Sequence, residues 1–297
     1  MIIPPITCKD LTKRFGSLIA LESVSFSLNE PGVVGLVGPN GSGKSTLLRL
    51  LMGTLKPTAG ELHLFGHSPR ESRRHHTSIG YLSAADRMFP ELTVLENMIY
   101  RGRLYDLDHQ RGSTMAARLL RERNLYGLRD RRPDTLSTGQ RRQVSLLSVL
   151  MHQPKILLLD EPTTGIDITA ISQIYRLMSE LCEEDVTVLL ATHSIEELVT
   201  LCTRTLALHD GQLVYNRPTV ELGHTRKEVR DTLQYLFLGT EAPPRPVQMP
   251  KVEPAPTNSE VVEFANSQPG SNGKDPDMID FEYSVMDYDI HSGRAAP

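Results

Sequence analysis

The chain has little cysteine, no long apolar run and no marked charge of one sign. Its 297 residues include only three cysteines, Cys8, Cys182 and Cys202. The number is odd and no two stand as C-x-x-C, which argues against a disulfide framework or a cysteine zinc site and fits reduced thiols. The ten histidines show no metal-ligand spacing. No apolar run reaches the roughly 18 residues of a membrane span. The opening Met1-Ile2-Ile3-Pro4-Pro5 lacks the basic and apolar regions of a signal peptide. A cytosolic chain that does not cross a membrane alone is the expectation. The formal net charge is −4, from 36 acidic and 32 basic residues. That lacks the basic footprint of a nucleic-acid binder, so no nucleic-acid partner is expected. Internal repeats and a heptad pattern long enough for a rod are missing too.

What is there is enough for a core. Hydrophobic residues make up 39% and charged residues 23%, and a globular chain of this size buries roughly 75% of its unfolded surface. A prior of about 150 residues per domain allows one or two units. The charge is unevenly spread. Residues 241–297 carry ten acidic and four basic side chains, a net of −6, which leaves +2 for the other 240 residues. The same stretch holds nine of the 20 prolines and reads as a disordered or partner-binding tail. Within it, residues 277–285 alternate acidic and apolar side chains, as a strip that docks on a sheet edge would. The domain expectation is 1–240, with a helical insert at about 88–136, followed by the tail at 241–297.

From about residue 30 to 210, apolar β-rich runs alternate with helix-length segments. Val33–Val37, Ile156–Leu159 and Val186–Leu190 read as buried strands of a parallel sheet covered by helices. Ile6–Leu11 and Ile19–Leu28 alternate like half-exposed strands and suggest an added antiparallel sheet. Residues 225–238 form an amphipathic helix with Val229, Leu233, Leu236 and Phe237 on one face.

Two motifs carry chemistry. Gly38-Pro39-Asn40-Gly41-Ser42-Gly43-Lys44-Ser45 matches G-x-x-x-x-G-K-[ST], between an apolar strand and the helix opened by Thr46. Glycines let the backbone wrap phosphates, and a helix N-terminus favours anions. Lys44 would reach the β- and γ-phosphates, and the Ser45 hydroxyl would ligate Mg²⁺, a hard cation that prefers oxygen. The second motif is the strand Ile156–Leu159 ending in Asp160 and Glu161. Buried strands rarely end in two carboxylates without a cation or reacting water to meet. Asp160 would hold Mg²⁺, and Glu161 would act as the general base on the attacking water.

With these motifs in place, the chain resembles the ATP-binding cassette (ABC) ATPases over about residues 6–238. Leu136-Ser137-Thr138-Gly139-Gln140 is similar to the family's signature motif, with Thr138 at its variable position. Ser137, as a residue of its type before a helix, is also a cap. Thr164-Gly165-Ile166-Asp167 is similar to the D-loop, His193 to the switch histidine, and Phe15 to the aromatic that stacks on adenine. The resemblance implies an α/β fold of the P-loop NTPase, ABC type: a mostly parallel core sheet, an antiparallel β subdomain and a helical subdomain. It implies ATP and Mg²⁺ as ligands, contacts to nucleotide from Ser137, Gly139, Gln140 and Asp167, and Glu161, His193 and Lys44 as catalytic residues. It further implies a homodimer, or a pair with a second ATPase chain, closing around two ATP. A separate polytopic membrane permease would hold the assembly at the cytoplasmic face of the cell membrane. Arg87, Met88, Phe89 and Leu92 would line the groove for the permease. The run Pro90–Asn97, continuing to Gly102–Tyr105, is similar to exporter subunits. One position departs from the family: the sensor glutamine aligns with Ala84, which leaves Ser83 or Asp86 as substitutes, or a weaker coupling. Two competing readings are a soluble ABC ATPase and a nucleotide-binding regulator without turnover. The basic clusters at 70–74 and 129–132 read as solvated faces.

Overall fold

The computed structural model describes residues 3–69, 78–85 and 88–239. The tail, the cluster at 70–74, Asp86 and Arg87 lie outside the described residues.

Among the described residues the main sheet has six strands in the order β5-β6-β7-β3-β8-β9. They are β3 (Gly32–Val37), β5 (Ile79–Leu82), β6 (Ile156–Asp160), β7 (Thr187–Ala191), β8 (Arg204–His209) and β9 (Gln212–Pro218). All neighbours pair in parallel except β8 and β9. A second sheet, β2-β1-β4, joins β1 (Ile6–Phe15), β2 (Leu18–Leu28) and β4 (Ala59–Leu64) in antiparallel register. The two half-exposed runs expected to form an added sheet are thus its first two strands.

The sequence pattern explains the layering. Every residue of β3 is buried, as a central parallel strand requires. Its side chains alternate between two cores. Val33, Val37, Leu157, Leu159, Val188 and Leu190 face one, packed against helices. Val34, Leu36, Ile156, Leu158 and Leu189 face the other, with Leu47 and Leu48 and with the antiparallel sheet. The period of two along each strand therefore sorts one apolar run into two cores.

Among the described residues the helices are α1 (Lys44–Leu51), α2 (Val94–Arg103), α3 (His109–Glu122), α4 (Thr138–Val149), α5 (Ile168–Glu183), α6 (Ile195–Leu201) and α7 (Arg226–Leu238). The stretch expected as a helical insert contains α2, α3 and two 3-10 turns. A capping box of Thr93 and Glu96 starts α2, and Asp108 caps α3 through the Arg111 N–H. α4 begins at Thr138, where Ser137 and Gln140 form a capping box. On α7, Val229 and Leu233 are buried and Leu236 and Phe237 pack against the same core, the face expected from the sequence.

Candidate nucleotide site

Strand register brings the candidate residues to one edge. Leu36 and Asp160 both pair with Ala191, on either side of β7. The loop after β3, the carboxylates at the end of β6 and the Thr192-His193 segment after β7 therefore leave the sheet at one level. This is the carboxyl edge, where open α/β sheets bind ligands.

Gly38 and Gly43 leave no room for a side chain. Gly38 has φ +154°, and a Cβ there would lie 2.1 Å from Leu208 O and 2.6 Å from Ser42 Oγ. Gly43, at φ +106°, caps α1 and would drive a Cβ to 2.6 Å from Ala20 O on the β1–β2 hairpin. Gly41, at φ +85°, faces open space. Lys44 donates to Gly38 O at 2.6 Å and Pro39 O at 3.0 Å, so its ammonium folds back over the loop. The Ser42 hydroxyl is buried with no hydrogen-bond partner among the described residues. A basic side chain over a glycine cradle, an orphaned hydroxyl and a helix N-terminus together fit a polyphosphate. Pro39, Asn40, Ser45 and Thr46 complete this loop and the first turn of α1. The oxygen donors Ser45 and Asp160 suit Mg²⁺ chemically.

At the end of β6, Glu161 takes the left-handed conformation, φ +48°, which is unusual for a residue with a side chain and is held only where the surroundings over-determine it. Its amide N–H donates to Ala191 O at 2.9 Å. His193 Nδ1–H donates to Glu161 Oε1 at 3.1 Å, and the Thr164 hydroxyl donates to Oε2 at 3.2 Å. Base and switch candidates thus form one hydrogen-bonded pair. Burial, and next Glu161, push the Asp160 carboxyl above its ordinary range, opposed by Lys44, Arg142 and a Tyr81 hydrogen bond. Burial holds the Lys44 ammonium below its ordinary value, opposed by Glu161 and Asp160. Two carboxylates and one lysine share a partly desolvated edge, the arrangement expected where charge must be supplied to a ligand.

The signature candidates open α4. Ser137 is exposed, and its Oγ accepts from the Gln140 N–H at 3.2 Å while Gln140 Oε1 accepts from the Ser137 N–H at 3.1 Å. Gly139 is pressed against the start of α5: a Cβ would lie 2.8 Å from both Ala170 Cβ and Asp167 Oδ2. Asp167 caps α5 by accepting from the Ala170 N–H at 3.0 Å. Ser137, Gly139 and Asp167 therefore meet where the start of α4 packs on the start of α5, and the next residue, Ile168, is 81% exposed. Phe15 ends β1, is 45% exposed and has Lys13 Nζ 4.9 Å from its ring centroid, so it is not a core residue.

Three supporting residues escaped the sequence reading. Arg142 is buried in α4 and donates to four main-chain carbonyls. It reads as half of a solvated Arg141-Arg142 pair, yet Leu146 and Val149 at i+4 and i+7 mark its side of the helix as buried. Glu197 of α6 is buried and accepts from the Thr163 hydroxyl in the turn after Glu161. Asn97 of α2 bonds Phe89, Leu92 and Thr93 through their main chain and shapes the surface where Phe89 meets Tyr100 edge-on at 4.9 Å. Of the groove candidates, Met88 packs against the core and Phe89 is 47% exposed, beside exposed Tyr100 and Leu104. At the sensor position, the Ser83 hydroxyl is turned onto Ala85 O at 2.6 Å, within its own turn.

Comparison with known proteins gives a consistent picture. The family model for ABC transporters matches residues 21–164. The Nod factor export ATP-binding protein I of Burkholderia lata is 33% identical over 215 residues, 72% of this chain and 71% of that protein. A probable sulfate/thiosulfate import ATP-binding protein, CysA, of Chlorella vulgaris is 35% identical over 210 residues, 70% of this chain and 89% of that protein. The solved structure of cbiO1 from Clostridium perfringens, part of the ABC transporter complex cbiONQ, superposes with a TM-score of 0.69 at 25% identity. It covers 80% of this chain and 96% of that one. Among the described residues no helix is long and apolar enough to cross a membrane.

Proposed function

The chain belongs to the ABC transporter family as an ATP-binding subunit, and on that premise we propose that it hydrolyses ATP to drive a separate membrane permease, in the direction of export. The observation that carries this reading is the shared edge: the glycine cradle with Lys44, the Asp160–Glu161 pair and His193 leave three adjacent strands at one level.

The division of labour follows from the chemistry. Lys44 and the loop N–H groups bind the phosphates. Ser45 and Asp160 would hold Mg²⁺, which would supply neutralisation of phosphate charge. Glu161 takes the proton of the attacking water, and His193 holds the Glu161 carboxylate in place through the 3.1 Å bond already formed. Phe15 offers an exposed ring for the base of the nucleotide. The surface of Ser137, Gly139, Gln140 and Asp167 is proposed to face the nucleotide of a second copy. Two features support a homodimer: both half-sites occur in one chain, and exposed Ile168 adjoins the signature turn. The groove beside Met88, Phe89 and Leu92 is the proposed seat of the permease, which would place the chain at the cytoplasmic face of the cell membrane. Export is supported by the relative named for Nod factor export; the relative named for import sets the alternative that must be beaten.

The test is a detergent pull-down of this chain from its native membranes, followed by ATPase assay of the recovered complex. The expected result is a stoichiometric polytopic protein and turnover well above a Glu161→Gln control. Recovery only from the soluble fraction would shift the reading to a soluble ABC ATPase, and activity equal to the control would shift it to a regulator without turnover.

A further inference from the structure

The base Glu161 sits in a strained conformation, and one side chain holds the peptides around it. Arg142 lies one turn into α4, after the signature turn, and is 6% exposed. Its Nε–H donates to Pro162 O at 2.8 Å. Nη2 donates to Glu161 O at 3.0 Å and Asp160 O at 3.2 Å. Nη1 donates to Ser83 O at 2.7 Å. Three consecutive carbonyls at the end of β6 are therefore gathered by one guanidinium, and a fourth comes from the loop that leaves β5 toward the helical insert, at the residue before Ala84. A guanidinium is planar and presents its donors in a fixed fork, so these four carbonyls cannot move independently. Lysine would bring the same charge with no fork.

We propose that Arg142 is a positioning residue: it locks the Asp160–Pro162 main chain so that Glu161 points at the attacking water, and ties that main chain to Ser83. Three parts of the molecule then move as one piece: the signature helix, the turn bearing the base, and the Ser83 main chain just after β5. The connection runs through main-chain carbonyls, so it does not depend on the side chain at position 84. This matters here because Ala84 has no polar atom and the Ser83 hydroxyl is spent on Ala85 O. Glu161 at φ +48° needs an external restraint to persist, and Arg142 bonds the carbonyl of that very residue.

The inference rests on the hydrolytic reading above. Its test compares wild type, Arg142→Lys and Arg142→Met in the full chain with its permease, measuring kcat, KM for ATP and the Kd of a fluorescent ATP analogue. Misplacing a reacting group by about 1 Å costs on the order of 100-fold in rate. The expected result is a kcat lowered by about that factor in both variants, with KM and Kd within about threefold of wild type. Loss confined to kcat separates positioning from a general structural role, which would lower nucleotide affinity and thermal stability together. Lysine keeps length and charge, so a folded Arg142→Lys variant with wild-type kcat overturns the proposal. So does a parallel loss of kcat and affinity in that variant. An inactive wild type that still binds the analogue overturns the hydrolytic reading instead.

Discussion

The two ends of the parallel strands in the main sheet are built differently. At the carboxyl ends of β3, β6 and β7, the chain places left-handed backbone at Gly38, Gly43 and Glu161, an orphaned Ser42 hydroxyl, and two carboxylates facing Lys44. At the amino ends of β5 and β6 the same sheet is closed and apolar. Ser78 O accepts from both the Lys155 and Ile156 N–H groups at 2.9 Å. The tight approach of Gly80 to Val149, Pro154 and Leu157 leaves no room for a Cβ. His152 donates to Ile79 O at 2.9 Å and stacks flat on Tyr105 at 3.6 Å. One end gathers glycine turns and facing charges at a loop open to a ligand; the other is tightly packed, although His152 Nδ1 and Thr187 Oγ1 are buried there with no hydrogen-bond partner among the described residues. The contrast teaches that activity and stability are separable in this molecule, and a substitution at each end tests that separation.

The largest expected effect lies at the carboxyl end. Glu161→Gln keeps the shape but cannot take a proton, so ATP turnover should fall by about 10²–10⁴-fold. The side chain's two partners, His193 and Thr164, are surface contacts. Stability should then move by no more than about 0.5 kcal/mol, the usual range away from buried features. Steady-state ATPase and urea denaturation of the same preparation check both halves, and a large stability loss would break the separation.

At the amino end the sign reverses. Burial holds the His152 imidazole down to about 4, helped by Arg101 and opposed by the hydrogen bond to Ile79. Between that value and about 6.5 the unfolded chain binds a proton that the native chain does not. The contribution is therefore complete above about pH 6.5 and is lost as pH falls toward 4, by about 2 kcal/mol between 6.5 and 5. Urea denaturation across this range should show the slope in wild type and a shallower one in His152→Gln. Equal slopes would mean the ring protonates freely in the fold.

Gly80→Ala is expected to cost about 1–3 kcal/mol, the range for overpacking a filled core. Its Cβ would lie 2.6 Å from Val149 Cγ1, 2.9 Å from Pro154 Cγ and 3.1 Å from Leu157 Cδ1. Turnover per folded molecule should stay within about twofold. A variant that melts normally, or one that folds but does not turn over, would each contradict the contrast.

How much of this was legible in the chain divides along the same line. The phosphate loop and the carboxylate pair are local strings whose chemistry requires those residues at that spacing, so they can be read before any fold is known. The same holds for β3 and β6, whose apolar runs are bounded by glycine or by acids. What supports them is non-local. Arg142 reaches carbonyls 18 to 59 residues away, and Glu197 reaches Thr163 across 34. No local pattern distinguishes such a buried charge from a solvated one, except its place on the apolar side of a helix. β4, β5, β8 and β9 are not picked out individually by the local pattern, and for β4 and β9 the reason is related. Both are edge strands with mixed exposure, so their alternation is weak and their pairing, with β1 and β8, is what makes them strands.

The smallest expected effect is the sharpest test of the contrast, because it asks a catalytic-edge substitution to improve the fold. Burial and Glu161 raise the Asp160 carboxyl above its ordinary value, so the native state disfavours the ionised form. The unfolded chain then releases the proton more readily, and this group's contribution to stability declines as pH rises from about 3.8 through the native value. At neutral pH the full deficit is present. Asp160→Asn removes the charge and keeps the shape. The nucleotide-free protein should therefore melt slightly higher, on the order of 1–2 °C, a trade of function for stability. The same variant should lose much of the stabilisation that Mg-ATP confers on wild type, since a ligand raises stability only through its affinity for the folded state. Differential scanning calorimetry with and without Mg-ATP reads both quantities. A lower melting temperature without nucleotide would mean that attraction from Lys44 and Arg142 outweighs burial at Asp160, and that the carboxyl edge, too, is built for stability.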